Sequence, residues 1–361
     1  MVYLGVDYYS IHQPRVPAWH HSVISTENTL FVLLDGMEDD PSPQLDGKKP
    51  YEAADMPFIR KAAPNLAWTT GRGYTQLFLN EFWTGHPPDP ATSRGAIEAC
   101  GLGLDMSHGR TAFRLSPAYI VDNTVKWAYG VDDRADDLQQ STEDNMYLLG
   151  DCAPQCKFFV HGRAVITMDY GDYVPKPGPQ APVDGPYVPI EGPLGELIMQ
   201  IASENEGLTL YPWGIGKVGK VYPAYPCLGK MTAISDSPTA LGIAAMLGHK
   251  IKLVEKLEDR FPIARRALRE GNVFLHMDEV DEYSHEKDPL KKVRVLELID
   301  SLMAEYFSDC KRMVFFVDHG TSCVTGKHIL MDVPFRTSFP CYPQNGHAQL
   351  KDIVPTLMGG M

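Results

Sequence analysis

The sequence predicts an α/β protein: a mostly parallel sheet flanked by helices, with a smaller α+β domain inserted into it. Three short apolar segments rich in β-forming residues predict strands, namely TLFVLL (29–34), NVFLHM (272–277) and MVFFV (313–317). Each ends at acidic or turn-forming residues, as buried parallel strands commonly do. Residues 290–307, between the second and third segments, carry apolar side chains at helical spacing. This alternation of strand, helix and strand is typical of a parallel sheet.

Two other segments are predicted to be helical. KPYEAADMPFIRKAA (49–63) follows the first strand, and SPTALGIAAMLG (237–248) precedes the second. In the latter we expect Ser237 to cap the helix and Pro238 to occupy its first position, where no N–H is needed. Residues 173–193 contain seven prolines among twenty-one residues. They predict an extended loop, which is either a plain linker or a binding loop.

The length of 361 residues is enough for two domains, each with its own apolar core. We expect residues 1–28 to be an N-terminal extension. Residues 29–105 and 211–361 are predicted to form the sheet domain. Residues 106–210, which hold short mixed runs and the proline-rich segment, are predicted to form the inserted substrate-binding domain.

The charge balance restricts the partners. The 46 acidic residues outnumber the 33 basic ones, for a net charge of −13. Nucleic acids and anionic membranes require clustered Lys and Arg, so neither is expected, whereas a small anionic substrate is compatible with a bound metal ion. The sequence has no apolar stretch long enough to span a membrane and no secretory signal pattern, and its seven cysteines are scattered. We therefore expect a cytoplasmic protein with reduced thiols.

Acidic and histidine residues follow the predicted strands. Ligands of parallel sheets bind beyond the carboxyl ends of the strands, so these residues are candidate metal ligands: Asp35, Asp281, His285, Asp318, His319 and His328. Taken singly, each has a plain alternative as a turn residue or as part of a solvated helix face. Together, three carboxylates and three imidazoles suit zinc, manganese or magnesium, and they exceed what one catalytic ion needs. The set predicts a pair of divalent ions that clamp a phosphoryl or similar group.

Five motifs, in this order, resemble those of archaeal-type cofactor-independent phosphoglycerate mutases, which lie within the alkaline phosphatase superfamily. The motifs are LLDG (33–36) with GKKPYEAAD (47–55), TSRGAIEACGLGL (92–104), DEYSH (281–285), FFVDHGT (315–321) and GHAQLKDIVPTLM (346–358). The resemblance implies an alkaline-phosphatase-like fold and metal-dependent interconversion of 2- and 3-phosphoglycerate through a phospho-enzyme. It also implies that Asp35, Asp318 and His319 hold one ion and that Asp281, His285 and His328 hold the other.

The nucleophile departs from the family pattern. The family serine precedes a helix, but the corresponding segment here, WTTGRGYTQLFLNEFW (68–83), contains no serine. Alignment on Arg72 places Thr75 opposite that serine, and Thr70 is a second candidate; the alternative is a helix-capping threonine in an inert protein. Lys230 falls where the family has a lysine that contacts the transferring phosphoryl, and its alternative is a surface lysine.

The predicted substrate domain departs further. The family's arginine-rich run is replaced by DDRADD (132–137), in which only Arg134 persists, while Arg94 and Arg163 are retained as candidate substrate-binding residues. Paired arginines hold doubly anionic ligands, so their loss argues against unaltered phosphoglycerate. Three hypotheses stay open: a mutase acting through Thr75, a diverged transferase or hydrolase for another phospho- or phosphono-carboxylic acid, and a non-catalytic metal-binding paralogue. The native metal and the oligomeric state also stay open.

Overall fold

The protein is described here from a computed structural model, which describes residues 28–128, 131–169 and 184–359. It contains two compact units, one formed by the chain up to Pro88 and from Tyr222 onward, the other by Asp89–Val221. The predicted N-terminal extension lies, apart from its last residue, outside the described residues. Residues 173–183 of the predicted proline-rich loop also lie outside the described residues.

The secondary structure alternates between strands and helices along the chain. The strands are β1 (Leu30–Leu34), β2 (Asn65–Thr70), β3 (Thr111–Val121), β4 (Thr124–Trp127), β5 (Gln155–Phe159), β6 (Arg163–Met168), β7 (Gly185–Pro186), β8 (Leu208–Gly216), β9 (Met231–Ser235), β10 (Lys250–Leu253), β11 (Asn272–Met277), β12 (Met313–Phe316), β13 (Gly320–Thr321), β14 (His328–Ile329), β15 (Asp332–Thr337) and β16 (Gly346–His347). The helices are α1 (Pro50–Ala53), α2 (Pro57–Ala62), α3 (Thr75–Thr84), α4 (Arg94–Gly101), α5 (Ala135–Asn145), α6 (Pro193–Glu204), α7 (Pro238–Met246), α8 (Leu257–Ala267), α9 (Glu279–His285), α10 (Pro289–Phe307) and α11 (Leu350–Leu357).

The larger unit is built on an eight-stranded sheet in the order β10-β9-β11-β1-β12-β15-β2-β16. The five strands from β10 to β12 are parallel, and β15 pairs antiparallel with both β12 and β2. Every residue of β1, β11 and β12 is buried, which explains why these strands are continuous apolar runs rather than alternating ones. The prediction of a mostly parallel sheet flanked by helices is confirmed.

The predicted helices form with local differences. Residues 49–63 give two short helices, because Pro57 starts α2 after the chain leaves α1. Pro238 occupies the first turn of α7, but Ser237 does not cap it with its side chain. Instead the backbone N–H of Ser237 donates to Ser235 Oγ, at 2.8 Å. Asp288 caps α10 by accepting from the Lys291 N–H.

The smaller unit has an antiparallel sheet in the order β5-β6-β3-β4-β7, with β8 also paired to β3. Helices α5 and α6 bury Leu138, Leu197 and Ile198 in a core shared with Phe113 of β3 and Ile166 of β6. The predicted domain at 106–210 lies within this unit, which extends beyond it at both ends and includes α4. Among the described residues of the whole chain, no helix is long and apolar enough to cross a membrane.

Candidate metal centre

The site lies at the carboxyl end of the central parallel strands. Strand β1 pairs with β11 on one side and with β12 on the other, so the residues that follow these strands meet at one sheet edge. The structure gathers all six predicted ligands there in two groups whose ligand atoms lie within 4.8 Å of one another. The buried triad is Asp35, Asp318 and His319, and the outer triad is Asp281, His285 and His328.

The buried triad places two carboxylates around one imidazole. His319 Nε2 lies 3.2 Å from Asp35 Oδ1 and 3.3 Å from Asp318 Oδ2. Asp318 Oδ1 accepts hydrogen bonds from the backbone N–H groups of Gly36 and His319. Asp318 Oδ2 is buried and has no hydrogen-bond partner in the described part of the chain. An orphaned carboxylate oxygen beside a second carboxylate fits a site that is built to receive a cation.

The pKa values of the buried triad show the same demand for positive charge. Burial, followed by the charge of Asp35, raises the pKa of Asp318 to about 7. Burial lowers the pKa of His319, but the carboxylates of Asp318 and Asp35 outweigh it and raise the pKa to about 10. A proton on His319 therefore supplies, in the metal-free protein, the charge that a metal ion would supply when bound.

The outer triad is defined by two histidines that face each other. His285 Nε2 lies 3.0 Å from Asp281 Oδ2 and 3.1 Å from His328 Nε2. The Nδ1 atoms contact the carbonyl oxygens of Gly326 and Gly73, at 2.9 and 2.8 Å. A carbonyl oxygen only accepts, so both Nδ1 atoms carry hydrogen and both Nε2 atoms face the same point. Either a proton or a cation must lie between them, and imidazoles anchored through Nδ1 to carbonyl groups are typical of metal ligands.

The two triads are joined by direct contacts. His319 Nδ1 lies 3.1 Å from Thr321 Oγ1, and the Thr321 hydroxyl donates to Asp281 Oδ1. The rings of His319 and His328 stack with their centroids 4.1 Å apart. Gly36, at φ +58°, allows Asp281 to approach the β1 turn, because a Cβ atom there would lie 2.3 Å from Asp281 Oδ1.

Thr75 lies against the buried triad. It is the first residue of α3, and its Oγ1 lies 3.2 Å from Asp35 Oδ2 and 3.4 Å from His319 Nε2. Thr70, the second candidate nucleophile, is exposed at the end of β2 and donates to Asp332 Oδ1 at 3.1 Å. The geometry therefore favours Thr75, whose position at a helix N-terminus also suits a group that gains negative charge.

The structure does not bring Lys230 to the two triads, so its role at the transferring phosphoryl stays a prediction that its position does not support. Lys230 is exposed and precedes β9, and its carbonyl accepts from the N–H of Asn272, the first residue of β11. Strands β9 and β11 are parallel, so Lys230 lies at the amino end of the sheet, whereas the triads lie at the carboxyl end. The whole length of β9 separates this side chain from the site, and the surface-lysine alternative fits its position.

Sequence reasoning missed His276, the polar residue inside the second predicted apolar segment, NVFLHM (272–277). Its Nε2 donates to Asp35 Oδ2 at 2.7 Å, and its Nδ1 shares a 2.7 Å hydrogen bond with Ser235 Oγ. This hydrogen bond from His276 fixes the orientation of the Asp35 carboxylate. With Asp35 and Asp278 it forms a third group that could hold a cation. The signal available in the sequence was a histidine next to the last residue of an apolar segment, and the structure shows that this histidine is fully buried.

The wall next to this third group is acidic. Burial, followed by the charges of Asp236 and Asp35, raises the pKa of Asp278 well above its ordinary value. Asp236 Oδ2 pairs with the fully buried Arg260 at 2.8 Å, and Arg260 also pairs with Glu279 at 2.7 Å. A single guanidinium thus balances two of the carboxylates, and the site presents more negative than positive charge.

A buried lysine holds the ligand-bearing loops together. Lys292 of α10 is fully buried, and its Nζ donates to Asp39 Oδ2 and to the carbonyl of Gly36, both at 2.8 Å. It also donates to the carbonyl of Thr321, at 3.2 Å. The loop after β1 and the strand after β12 are therefore tied to the same side chain.

In the smaller unit, two of the three predicted substrate-binding arginines lie near a buried arginine that sequence reasoning missed. Arg94 Nε donates to Glu98 Oε1 at 2.7 Å, and the buried Arg114 donates to the same oxygen. Burial lowers the pKa of Arg114 to about 10; Glu98 opposes this, and Arg94 and Arg163 add to it. Two guanidinium groups thus bind one carboxylate oxygen, and the charge of Arg163 acts on Arg114.

The third predicted arginine, Arg134, is separately paired. Its Nε donates to Asp137 Oδ2 at 2.8 Å, within the acidic DDRADD segment. Its charge is therefore balanced locally by one of the residues that replaced the family arginines. This arrangement does not provide the paired guanidinium groups that the resemblance implies.

Comparisons with known proteins agree with the motifs. Residues 239–356 match the family described as the Metalloenzyme superfamily. The chain is 25% identical to the 2,3-bisphosphoglycerate-independent phosphoglycerate mutase of Picrophilus torridus, over 86% of this chain and 89% of the relative. A relative of that name from Methanothermobacter thermautotrophicus is 24% identical, over 86% and 88%.

Two solved structures share the fold. A protein of Pyrococcus horikoshii matches with a TM-score of 0.72 and 19% identity, over 93% of this chain and 99% of that one. The cofactor-independent phosphoglycerate mutase of Thermoplasma acidophilum matches with a TM-score of 0.58 and 18% identity, over 92% and 99%.

The match of residues 239–356 to the Metalloenzyme superfamily implies divalent metal ions, and the two triads that follow the parallel strands are groups that could hold them. Within that class, the resemblance to archaeal-type cofactor-independent phosphoglycerate mutases is confirmed, and the chain is a diverged relative of them.

Proposed function

We propose that this protein is a two-metal phosphoryl-transfer enzyme that forms a covalent intermediate on Thr75. The carrying observation is the position of the Thr75 hydroxyl, 3.2 Å from Asp35 in a triad joined by Thr321 to a second triad. Two divalent ions, Mn²⁺, Zn²⁺ or Mg²⁺, would be held by the two triads defined above. When bound, they would supply positive charge opposite the oxygens of the transferring phosphoryl group.

The residues support a two-step reaction. In the first step Thr75 Oγ1 attacks phosphorus, the bond from phosphorus to the substrate oxygen breaks, and that oxygen takes up the proton that Thr75 loses. In the second step another hydroxyl of the same substrate attacks phosphorus, the bond from phosphorus to Thr75 Oγ1 breaks, and Oγ1 takes up the proton that this hydroxyl loses. Water in place of that hydroxyl would make the enzyme a hydrolase. The first turn of α3 favours the negative charge that develops on Oγ1.

The leading substrate is phosphoglycerate, so the proposed activity is interconversion of 2- and 3-phosphoglycerate. This proposal is supported by the relatives described above, which are named as phosphoglycerate mutases. The second candidate is a diverged phosphotransferase, phosphonate-transfer enzyme or hydrolase for another phospho- or phosphono-carboxylic acid. It is supported by the pairing of Arg134 with Asp137 and by the acidic wall around Asp278. A non-catalytic paralogue is the third candidate, and the contact of Thr75 with the buried triad argues against it.

The nucleophile is tested by trapping the intermediate. The protein is incubated with a panel of phospho-acids and Mn²⁺, quenched in acid and examined by peptide mass spectrometry. We expect phosphothreonine at Thr75, loss of turnover in Thr75→Ala, and recovery in Thr75→Ser, which restores the hydroxyl. Thr70→Ala is the matched control and should turn over normally. Unchanged turnover in Thr75→Ala would refute the assignment.

The substrate is tested separately by phosphorus NMR of the protein with 3-phosphoglycerate. A 2-phosphoglycerate signal supports the mutase, and inorganic phosphate supports a hydrolase. If neither forms while the panel labels Thr75, the second candidate holds. Metal analysis distinguishes the paralogue: bound ions without any Thr75 adduct across the panel would favour it.

A further inference from the structure

The larger unit contains a cavity that does not belong to the metal centre. It has a volume of about 410 Å³ and lies between one face of the sheet and helices α1 and α2. None of the six predicted ligands lines it. Cavities of this size take small organic molecules, and they are usually apolar with a few placed polar groups.

The strand register places the apolar wall. In the pairing of β2 with β15, Trp68 lies opposite Pro334 and Leu66 opposite Arg336, and β12 places Phe315 opposite Arg336 as well. Residues opposite one another in antiparallel strands share a face. Together with Tyr51 of α1, the rings of Trp68 and Phe315 form a wall that suits a flat aromatic group.

Two arginines of the lining form no ion pair with a carboxylate of residues 28–128, 131–169 and 184–359. The Arg60 guanidinium donates to the backbone carbonyls of Tyr51 and Ala54. The half-buried Arg336 side chain makes no hydrogen bond within the same residues. Burial, followed by the charge of Arg60, lowers the pKa of Arg336. Two guanidinium groups that line one cavity fit a carboxylate.

We propose that this cavity is a binding site for a small aromatic carboxylic acid. The carboxylate binds Arg60 and Arg336, and the ring packs against Trp68 and Phe315. The proposal is independent of the proposed phosphoryl transfer. The cavity wall includes Leu34 and Val317, which directly precede Asp35 and Asp318, but none of the six predicted metal ligands.

The test is calorimetric titration of the full chain with para-hydroxyphenylpropanoate. We expect saturable binding with one site per chain. Arg336→Gln and Arg60→Gln should each weaken it about tenfold or more, because each removes a charge-assisted hydrogen bond. Arg269→Gln, an exposed arginine of the same unit, is the matched control and should bind as the parent does.

Two results would overturn the proposal. One is the absence of saturable binding of para-hydroxyphenylpropanoate to the parent protein. The other is unchanged affinity in a folded Arg60→Gln variant, whose exposed substitution on α2 leaves the sheet intact. Circular dichroism of each variant confirms that it is folded, so a loss of binding in Arg336→Gln reports the missing guanidinium group and supports the proposal.

Discussion

Replacing Asp318 by asparagine should stabilise the metal-free protein while abolishing its response to metal. The amide keeps the oxygen that accepts from Gly36 and His319, and its NH₂ group replaces the oxygen that has no partner. A carboxyl whose pKa is about 7 in the folded protein, against an ordinary value of 3.8, disfavours folding by about 4 kcal/mol once it is ionised. Asparagine cannot ionise, so Asp318→Asn removes this cost, and the gain is about 4 kcal/mol less what is lost with the 3.3 Å ion pair between Asp318 Oδ2 and His319.

The sign depends on pH. A raised carboxyl pKa means that the folded state holds the proton more tightly, so stability is greatest below pH 4 and falls as pH rises toward 7. The advantage of Asp318→Asn should therefore be near zero at pH 4 and full at pH 8. At about 2–4 °C per kcal/mol, the melting temperature of the variant in EDTA at pH 8 should exceed that of the parent by roughly 10 °C.

The assay is thermal unfolding at pH 4 and pH 8, with EDTA and with Mn²⁺. Metal at a thousand times its dissociation constant should stabilise the parent by about 4 kcal/mol, and Asp318→Asn should gain little. Asp332→Asn, an exposed carboxylate outside the triads, is the control and should change neither quantity. A variant less stable than the parent in EDTA at pH 8 would refute the claim that the ionised Asp318 destabilises the metal-free protein.

Three other changes test the supporting structure. Lys292→Met leaves the buried Asp39 carboxylate without its ion-pair partner and should cost about 3–5 kcal/mol in urea unfolding; a loss under 1 kcal/mol would contradict this. Gly36→Ala should weaken metal binding at least tenfold in a titration, whereas Gly47→Ala, also at positive φ but with open space around it, should not. Glu98→Gln should lower the free energy of unfolding by about 3 kcal/mol at pH 7. Burial raises the pKa of Glu98, but Arg114 and Arg94 outweigh it and lower the pKa to about 2, so the difference in stability between parent and variant should vanish as pH falls from 4.5 to 2.

The central strands could be predicted because both of their faces are buried. The predicted runs at 29–34, 272–277 and 313–317 match β1, β11 and β12 to within one residue. The candidate ligands followed from the rule that such strands end at one sheet edge, and the structure gathers them there. Their role as metal ligands stays a prediction.

The rest depends on pairings that no local pattern specifies. His276 contacts Ser235 because β9 lies beside β11, and neither strand identifies the other by its sequence. Lys230 lies away from the triads because sequence similarity alone does not tell which end of a strand faces the site. The antiparallel β15 carries Pro334, which interrupts the pattern expected of a central strand.

The order of the strands has a consequence for folding during synthesis. Strand β1 is made early, but both of its sheet partners, β11 and β12, are made only after most of the chain has emerged. Contacts between such distant segments form slowly, because the entropy of closing the loop is lost before the contacts are gained. During synthesis the apolar β1 is therefore exposed without its sheet neighbours, and we expect it to be a segment that chaperones protect from aggregation. Uptake of metal by both triads can occur only after this late pairing, so it reports that the chain has completed its slowest step.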